Sequence, residues 1–86
     1  MRIMDLPLDQ IQRPLPRRTD PEKVQQLMAS IAAIGQQEPI EVLEINGRYY
    51  GFSGCHRYEA MQRLACPTIR CRVRRAPPEV LRLHLA

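Results

Sequence analysis

The stretch YYGFSGCHRYEA (Tyr49–Ala60) starts as a strand-like run, breaks at a glycine and continues as a helix with a cysteine in its first turn. The first backbone N–H groups of a helix have no partner within the helix, and they favour a bound phosphate or a thiolate. Gly54 leaves the backbone open to an anion, and Cys55 supplies a nucleophile. His56 and Arg57 add hydrogen-bond donors and positive charge. The stretch therefore predicts phosphate-dependent thiol chemistry.

The segment before this stretch predicts a β-hairpin. Residues 40–45 alternate between apolar and polar side chains with one slip, and residues 48–52 return as the partner strand. Asn46-Gly47 between them is the strongest short hairpin signal. The hairpin thus delivers the chain to Gly54.

A helix is predicted over residues 21–34. Asp20 is suited to be its N-cap, Pro21 to be its first residue and Gly35 to end it. Apolar residues recur at intervals of three and four and predict the buried stripe: Val24, Leu27, Met28, Ile31 and Ile34.

The polar side chains of this helix allow two interpretations. Lys23, Gln26 and Ser30 share a face, so they could line a groove, or they could simply form the solvated side.

After the central stretch, the sequence predicts a helix over 55–65, a strand over 68–74 and a terminal helix over 79–85. Strict alternation in the strand directs Ile69, Cys71 and Val73 to the core. Ala60, Met61, Leu64 and Cys66 are predicted to face the core from the second helix and its end.

Two segments near the amino terminus complete the prediction. Residues 2–12 are read as a first strand followed by a turn, with Pro7 either limiting the pairing to a sheet edge or interrupting it. Residues 13–18 are too rich in proline for a helix or a central strand and predict a rigid loop.

Eighty-six residues with 44% hydrophobic content predict one small domain, residues 1–86, of the α+β class with a small mixed sheet flanked by helices. Three cysteines without a CxxC pair support neither a disulfide framework nor a zinc site, so we expect no metal ligands from the protein. The cysteine pattern is typical of reduced thiols, which predicts a cytoplasmic protein. We expect no membrane association, because the sequence has neither an apolar leader nor a run of about 20 apolar residues.

The net charge of +4 rests on twelve arginines and one lysine, a composition that favours contacts with phosphate or carboxylate groups. The clearest charge run contains Arg70, Arg72, Arg74 and Arg75. It is either a solvated surface or the contact face of a basic nucleic-acid-binding module.

The residues Phe52-Ser53-Gly54-Cys55-His56-Arg57-Tyr58 resemble the signature of the sulfiredoxins. A second motif lies upstream, where Arg13–Pro16 and Asp20–Gln25 have the spacing of the family. The resemblance covers nearly the whole chain. Within the family, the chain is similar to single-domain members of the bacterial or cyanobacterial type. It implies an enzyme that reduces hyperoxidised 2-Cys peroxiredoxins with ATP.

In the mechanism that this resemblance implies, the peroxiredoxin sulfinate attacks the γ-phosphate of ATP and becomes a sulfinic phosphoryl ester. Cys55 then attacks the sulfur, and a thiosulfinate links the two proteins. An external thiol, thioredoxin or glutathione, completes the reduction to the sulfenic acid. The resemblance implies ATP and Mg²⁺ as cofactors, a transient 2-Cys peroxiredoxin partner, no nucleic acid and a monomer.

The resemblance also assigns site residues. Backbone N–H groups from Gly54 to Arg57, with the side chains of His56 and Arg57, would hold the phosphates, and Arg13 would bring charge to the reacting centre. Lys23 would face the nucleotide. The hydroxyl residues of the family on the first helix correspond here to Gln26 and Ser30, so Gln26 departs from the family in type.

The main alternative is the amino-terminal domain of ParB chromosome-partitioning proteins, which shares the fold. Its motif resembles a glycine, a carboxylate and two arginines, whereas Cys55 and His56 follow Gly54 here. A cysteine at this position favours thiol chemistry, and 86 residues leave no room for the helix-turn-helix region of that family.

Overall fold

The computed structural model describes residues 1–14 and 18–85, with side chains described as far as residue 83. Leu15, Pro16 and Arg17 of the predicted rigid loop lie outside the described residues. The described elements are, in chain order, β1 (Arg2–Pro7), a 3-10 turn (Leu8–Gln10), β2 (Ile11–Gln12), α1 (Pro21–Ile34), β3 (Ile40–Ile45), β4 (Arg48–Tyr50), α2 (Cys55–Arg63), β5 (Thr68–Arg75) and α3 (Pro78–Leu85).

The strands form one mixed five-stranded sheet in the order β1-β5-β3-β4-β2. The β1/β5 and β3/β4 pairs are antiparallel, and the β3/β5 and β2/β4 pairs are parallel. The predicted α+β class and the small mixed sheet are therefore confirmed. The hairpin is confirmed as well, with Asn46 and Gly47 at φ 52° and 78° in its turn.

The prediction of one strand and a turn over residues 2–12 misses a second short strand, β2, whereas the interruption at Pro7 is confirmed. Pro7 ends β1, the N–H of Leu8 donates to the carbonyl of Pro67, and the 3-10 turn carries the chain to the opposite edge of the sheet. Proline lacks the N–H that would continue the ladder, which is the local reason for the break.

The predicted bounds of α1 are confirmed. The side chain of Asp20 accepts a hydrogen bond from the N–H of Glu22 at 3.0 Å, and the N–H of Gly35 donates to the carbonyl of Ile31. Ile34 was predicted to be buried but is 65% exposed. Periodicity identifies the apolar face of a helix but not how far the neighbouring structure extends along it.

Each face of the sheet has its own core. One core lies beneath α1 and α2 and includes Ile40, Ile69, Cys71 and Met61. The other lies beneath α3 and contains Leu43, Ile45 and Phe52. The inward side of β5 is therefore as predicted, and the second core fixes the strand that leads into α2.

Candidate active site

Gly54 positions the start of α2. It is the N-cap residue with φ 69° and ψ 30°, a left-handed conformation that favours glycine, and its side-chain position offers no cap to the helix. A Cβ atom on Gly54 would lie 2.5 Å from Cγ2 of Ile40. The loop can therefore pass over β3 and begin a helix with uncapped N–H groups only because this residue is glycine.

Cys55 and His56 form a hydrogen-bonded pair in the first turn of α2. The Sγ atom of half-buried Cys55 lies 3.6 Å from Nδ1 of His56, and Nε2 of His56 accepts a hydrogen bond from the backbone N–H of Asp20 at 3.0 Å. A backbone N–H can only donate, so Nε2 carries no proton and the proton of the neutral imidazole is on Nδ1. His56 therefore directs an N–H toward the sulfur of Cys55.

A cleft of about 510 Å³ separates the amino-terminal half of α1 from the start of α2. Its described lining residues are Lys23, Gln26, Leu27, Gly54, Cys55, His56 and Arg57. Six of the residues predicted for the site thus come together here. Ser30 lies apart, on a smaller cavity of about 140 Å³ that shares Leu27 and Arg57 with the cleft.

Arg57 lies between these two cavities. Its Nη2 atom donates to Oε2 of Glu38 at 3.1 Å, and 34% of its side chain is exposed, against 74% for Glu38. An ion pair so open to solvent contributes little to stability. Because this ion pair is weak, an incoming anion could replace the carboxylate of Glu38 as the partner of the guanidinium.

Arg13 lies behind the loop that leads into Cys55. Its Nη1 atom donates to the carbonyl of Ser53 at 2.8 Å, and its guanidinium carbon lies 4.9 Å from the centre of the Tyr58 ring. The hydroxyl of Tyr58 in turn donates to the carbonyl of Leu8. Within the described part of the chain, Arg13 is not among the residues that line the cleft. These contacts tie Arg13 to the loop and to Tyr58, and its predicted role as a charge at the reacting centre stays a prediction.

The other two cysteines belong to the core. Cys71 is fully buried and its thiol donates to the carbonyl of Ile69, while burial and the nearby carboxylate of Asp5 raise its pKa to about 11. Cys66 is half-buried against the same core, as predicted. Cys55 is the cysteine that lines the cleft.

The sequence does not predict the contacts of four polar residues beside the cleft, Thr19, Asp20, Glu38 and Glu59. The hydroxyl of Thr19 donates to Oε2 of Glu59, and Glu38 pairs with Arg57. The backbone N–H of Asp20 is a partner of His56 in addition to the capping role of its side chain. No local pattern predicts these contacts, because 19 to 40 residues separate the partners in the chain.

The arginine run on β5 is largely paired. Arg70 lies 3.6 Å from Asp5, Arg72 lies 3.1 Å from Glu41, and the third ion pair joins Arg75 to Glu44 at 3.1 Å. This arrangement favours the solvated-surface interpretation over a contact face for nucleic acid.

Within the described residues, none of the helices has the length and apolar character needed to cross a membrane.

Comparison with known proteins identifies the family. The model of the ParB N-terminal domain matches residues 1–86. A sulfiredoxin of Arabidopsis thaliana, named as chloroplastic/mitochondrial, is 58% identical over 85 residues, which cover 96% of this chain and 68% of the relative. The chain belongs to the sulfiredoxin family. The crystal structure of sulfiredoxin from Arabidopsis thaliana superposes with a TM-score of 0.96 at 56% identity, covering 100% of this chain and 99% of the other.

The ParB resemblance is confirmed at the level of the fold. A truncated ParB of Caulobacter crescentus, solved in complex with CTP-γ-S, has a TM-score of 0.73 at 29% identity, and the match covers 99% of this chain and 51% of the ParB chain. The predictions of a sulfiredoxin enzyme, an oxidoreductase that acts in peroxiredoxin repair, are confirmed by the sulfiredoxin matches.

The predicted cytoplasmic location is wrong. The Arabidopsis relative is named as chloroplastic/mitochondrial, which contradicts this prediction. Unpaired cysteines indicate reducing surroundings, but this chemical property does not specify a compartment.

Proposed function

We propose that this enzyme reduces the cysteine sulfinic acid of a hyperoxidised 2-Cys peroxiredoxin to the sulfenic acid, with ATP as the phosphoryl donor and Cys55 as the nucleophile. One observation carries the proposal: the sulfur of Cys55 lies in a cationic cleft and receives the Nδ1–H of His56. A nucleophilic sulfur and an anion site would therefore share one helix start.

The described residues suit a nucleotide. The uncapped N–H groups at the start of α2 and the side chain of Arg57 are donors for phosphate, and Lys23 faces them across the cleft. Gln26 and Ser30 line the two adjoining cavities on α1 and are proposed to contact the adenosine. Arg13 is proposed to act through the carbonyl of Ser53, by holding the loop that presents Cys55.

Magnesium would reach the site with the phosphates. Among the described residues, no group of three or more histidine, cysteine or acidic side chains could hold a metal ion. Phosphate oxygens and water are accordingly proposed as the ligands of Mg²⁺, a usual arrangement for this ion. Bound there, Mg²⁺ would neutralise charge on the phosphates.

The reaction requires phosphorylation because a sulfinate has no good leaving group. The sulfinate oxygen attacks the γ-phosphorus, ADP leaves, and a sulfinic phosphoryl ester forms on the peroxiredoxin. The thiolate of Cys55 attacks the ester sulfur and expels phosphate, which leaves a thiosulfinate between the proteins. A thiol from thioredoxin or glutathione attacks Cys55 sulfur, releases the sulfenic acid and forms a mixed disulfide that a second thiol reduces. We propose that the enzyme acts as a monomer.

The test is ATP-dependent loss of sulfinic acid from a hyperoxidised 2-Cys peroxiredoxin, followed by mass spectrometry with Mg²⁺ and thiol present. Wild-type protein should restore the sulfenic or thiol state, and Cys55→Ser should abolish the reaction. Cys66→Ser is the matched control, because Cys66 packs against the core and should leave turnover unchanged. No reduction by the wild-type protein would refute the proposal.

Replacement of ATP by CTP adds a second arm. The structural match to a ParB bound to CTP-γ-S makes cytidine nucleotide the informative competitor. Sulfinic acid reduction that proceeds with ATP and is not supported by CTP is the expected result. Tight CTP binding that persists in Cys55→Ser, without reduction, would favour a ParB-like activity instead.

A further inference from the structure

The segment Arg18–Asp20 is attached to α2 by two hydrogen bonds. The hydroxyl of Thr19 donates to Oε2 of Glu59 at 2.5 Å, and the N–H of Asp20 donates to Nε2 of His56 at 3.0 Å. His56 and Glu59 are three residues apart in α2, so both acceptors lie on one face of the helix. The segment is therefore fixed at two points beside Cys55.

The two bonds are coupled through one peptide group. The N–H that reaches His56 belongs to the peptide between Thr19 and Asp20, and that peptide is planar. Anchoring the Thr19 side chain restricts the rotation of this plane and so aims the N–H at Nε2. Thr19 and Glu59 are both half-buried, which protects their hydrogen bond from competing water.

We infer that Thr19 and Glu59 are positioning residues for Cys55: they orient the Asp20 N–H that fixes the tautomer of His56 and thereby the Nδ1–H that faces the sulfur. The chain of contacts runs from the Glu59 carboxylate through the Thr19–Asp20 peptide and His56 to Sγ. Without the hydroxyl anchor, the imidazole can take the other tautomer, whose Nδ1 lone pair opposes a thiolate. The inference rests on the proposed role of Cys55 as a nucleophile.

The experiment measures thiol reactivity and the tautomer without ATP or peroxiredoxin. Iodoacetamide alkylation at Cys55 is followed at neutral pH by peptide mass spectrometry, and imidazole ¹⁵N shifts report which ring nitrogen carries the proton. The chain has two histidines, so a His84→Gln background isolates the His56 signals. Thr19→Val should slow alkylation roughly three- to tenfold, the effect of losing one typical hydrogen bond, and should raise the Nε2–H tautomer.

Conservative changes distinguish this role from a structural one. Thr19→Ser keeps the hydroxyl, so its alkylation rate and its His56 tautomer should match the wild type. Glu59→Ala removes the other partner of the same hydrogen bond and should show the effects expected of Thr19→Val, so it serves as the test if Thr19→Val folds poorly. Arg63→Gln is the matched control, because it removes only the 3.7 Å ion pair of Glu59 with Arg63 and should alkylate at the wild-type rate.

The inference would be overturned if folded Thr19→Val alkylates at the wild-type rate and keeps the wild-type tautomer. It would also be overturned if Arg63→Gln slows alkylation as much as Thr19→Val does. Either result would leave the proposed function intact if ATP-dependent reduction proceeds. Absence of that reduction in wild-type protein, with the alkylation pattern as expected, would instead refute the proposed function alone.

Discussion

At the scale of single residues, Gly54 meets two separate requirements. Its positive φ is open to glycine at little cost, and the space where a Cβ would lie is occupied by Ile40. Gly47 in the hairpin turn has a similar φ of 78° but nothing within 4 Å of its Cβ position. The two glycines therefore separate the conformational cost from the steric cost.

Replacing each glycine by alanine measures these costs. Gly47→Ala should lower the free energy of unfolding by about 1 to 2 kcal/mol, the cost of a left-handed residue with a side chain. Gly54→Ala should lose about 1 to 3 kcal/mol more, because the new methyl group collides with Ile40 in a packed core. Urea denaturation checks both values, and equal losses in the two variants would contradict the steric argument.

At the scale of elements, the site depends on how α1 faces the start of α2. Both helices contribute lining residues to the cleft, including Lys23, the single lysine of the chain, from α1 and Arg57 from α2. Arg57 is paired with Glu38, which lies in the loop between α1 and β3. The guanidinium that would bind phosphate thus already lies beside the cleft, with Glu38 as a solvent-exposed partner.

Substitution of Arg57 tests this arrangement. Arg57→Ala should raise the Kd for ATP about tenfold or more, since hydrogen bonds to charged groups contribute about 1.5 to 3 kcal/mol. Glu38→Gln is the matched control: it weakens the ion pair but leaves the guanidinium, so the affinity should be equal or higher. Isothermal titration calorimetry measures both, and an unchanged Kd in Arg57→Ala would remove Arg57 from the phosphate site.

At the scale of the whole molecule, the sheet carries an ionisable group within its main core. Cys71 is fully buried on β5, between β1 and β3, and its pKa is raised from 9.0 to about 11 by burial and by Asp5. The unfolded chain therefore loses this proton at a lower pH than the folded protein does. The neutral thiol stabilises the fold below pH 9, and this contribution is lost as the pH rises toward 11.

The stability of the protein should accordingly fall at alkaline pH. Between pH 9 and pH 11 the free energy of unfolding should decrease by about 2 to 3 kcal/mol from this thiol. Cys71→Val has no ionisable group, so its stability should decrease less over the same interval, and Cys66→Ser should behave like the wild type. Urea denaturation at several pH values checks the slopes, and parallel curves for Cys71→Val and wild type would exclude Cys71 as the cause.

The sequence was sufficient where a feature depends on neighbours in the chain. The bounds of α1 followed from Asp20, Pro21 and Gly35, the hairpin from Asn46-Gly47, and the inward side of β5 from strict alternation. The motif from Gly54 to Arg57 also located the start of α2 and half of the cleft. Each of these signals is a capping, turn or periodicity preference that acts over a few residues.

Tertiary structure alone decided the partners of those residues. In the folded chain, β1 and β2 lie at opposite edges of the sheet, Arg13 donates to the carbonyl of Ser53, and the N–H of Asp20 donates to His56. Contacts across tens of residues depend on how the elements pack, and no local preference encodes them. Local sequence was enough to place a glycine and a cysteine at the start of a helix. The packing of α1 against α2 decided which ring nitrogen of His56 carries the proton that faces the sulfur, because that choice depends on the backbone N–H of Asp20, which is distant in the chain.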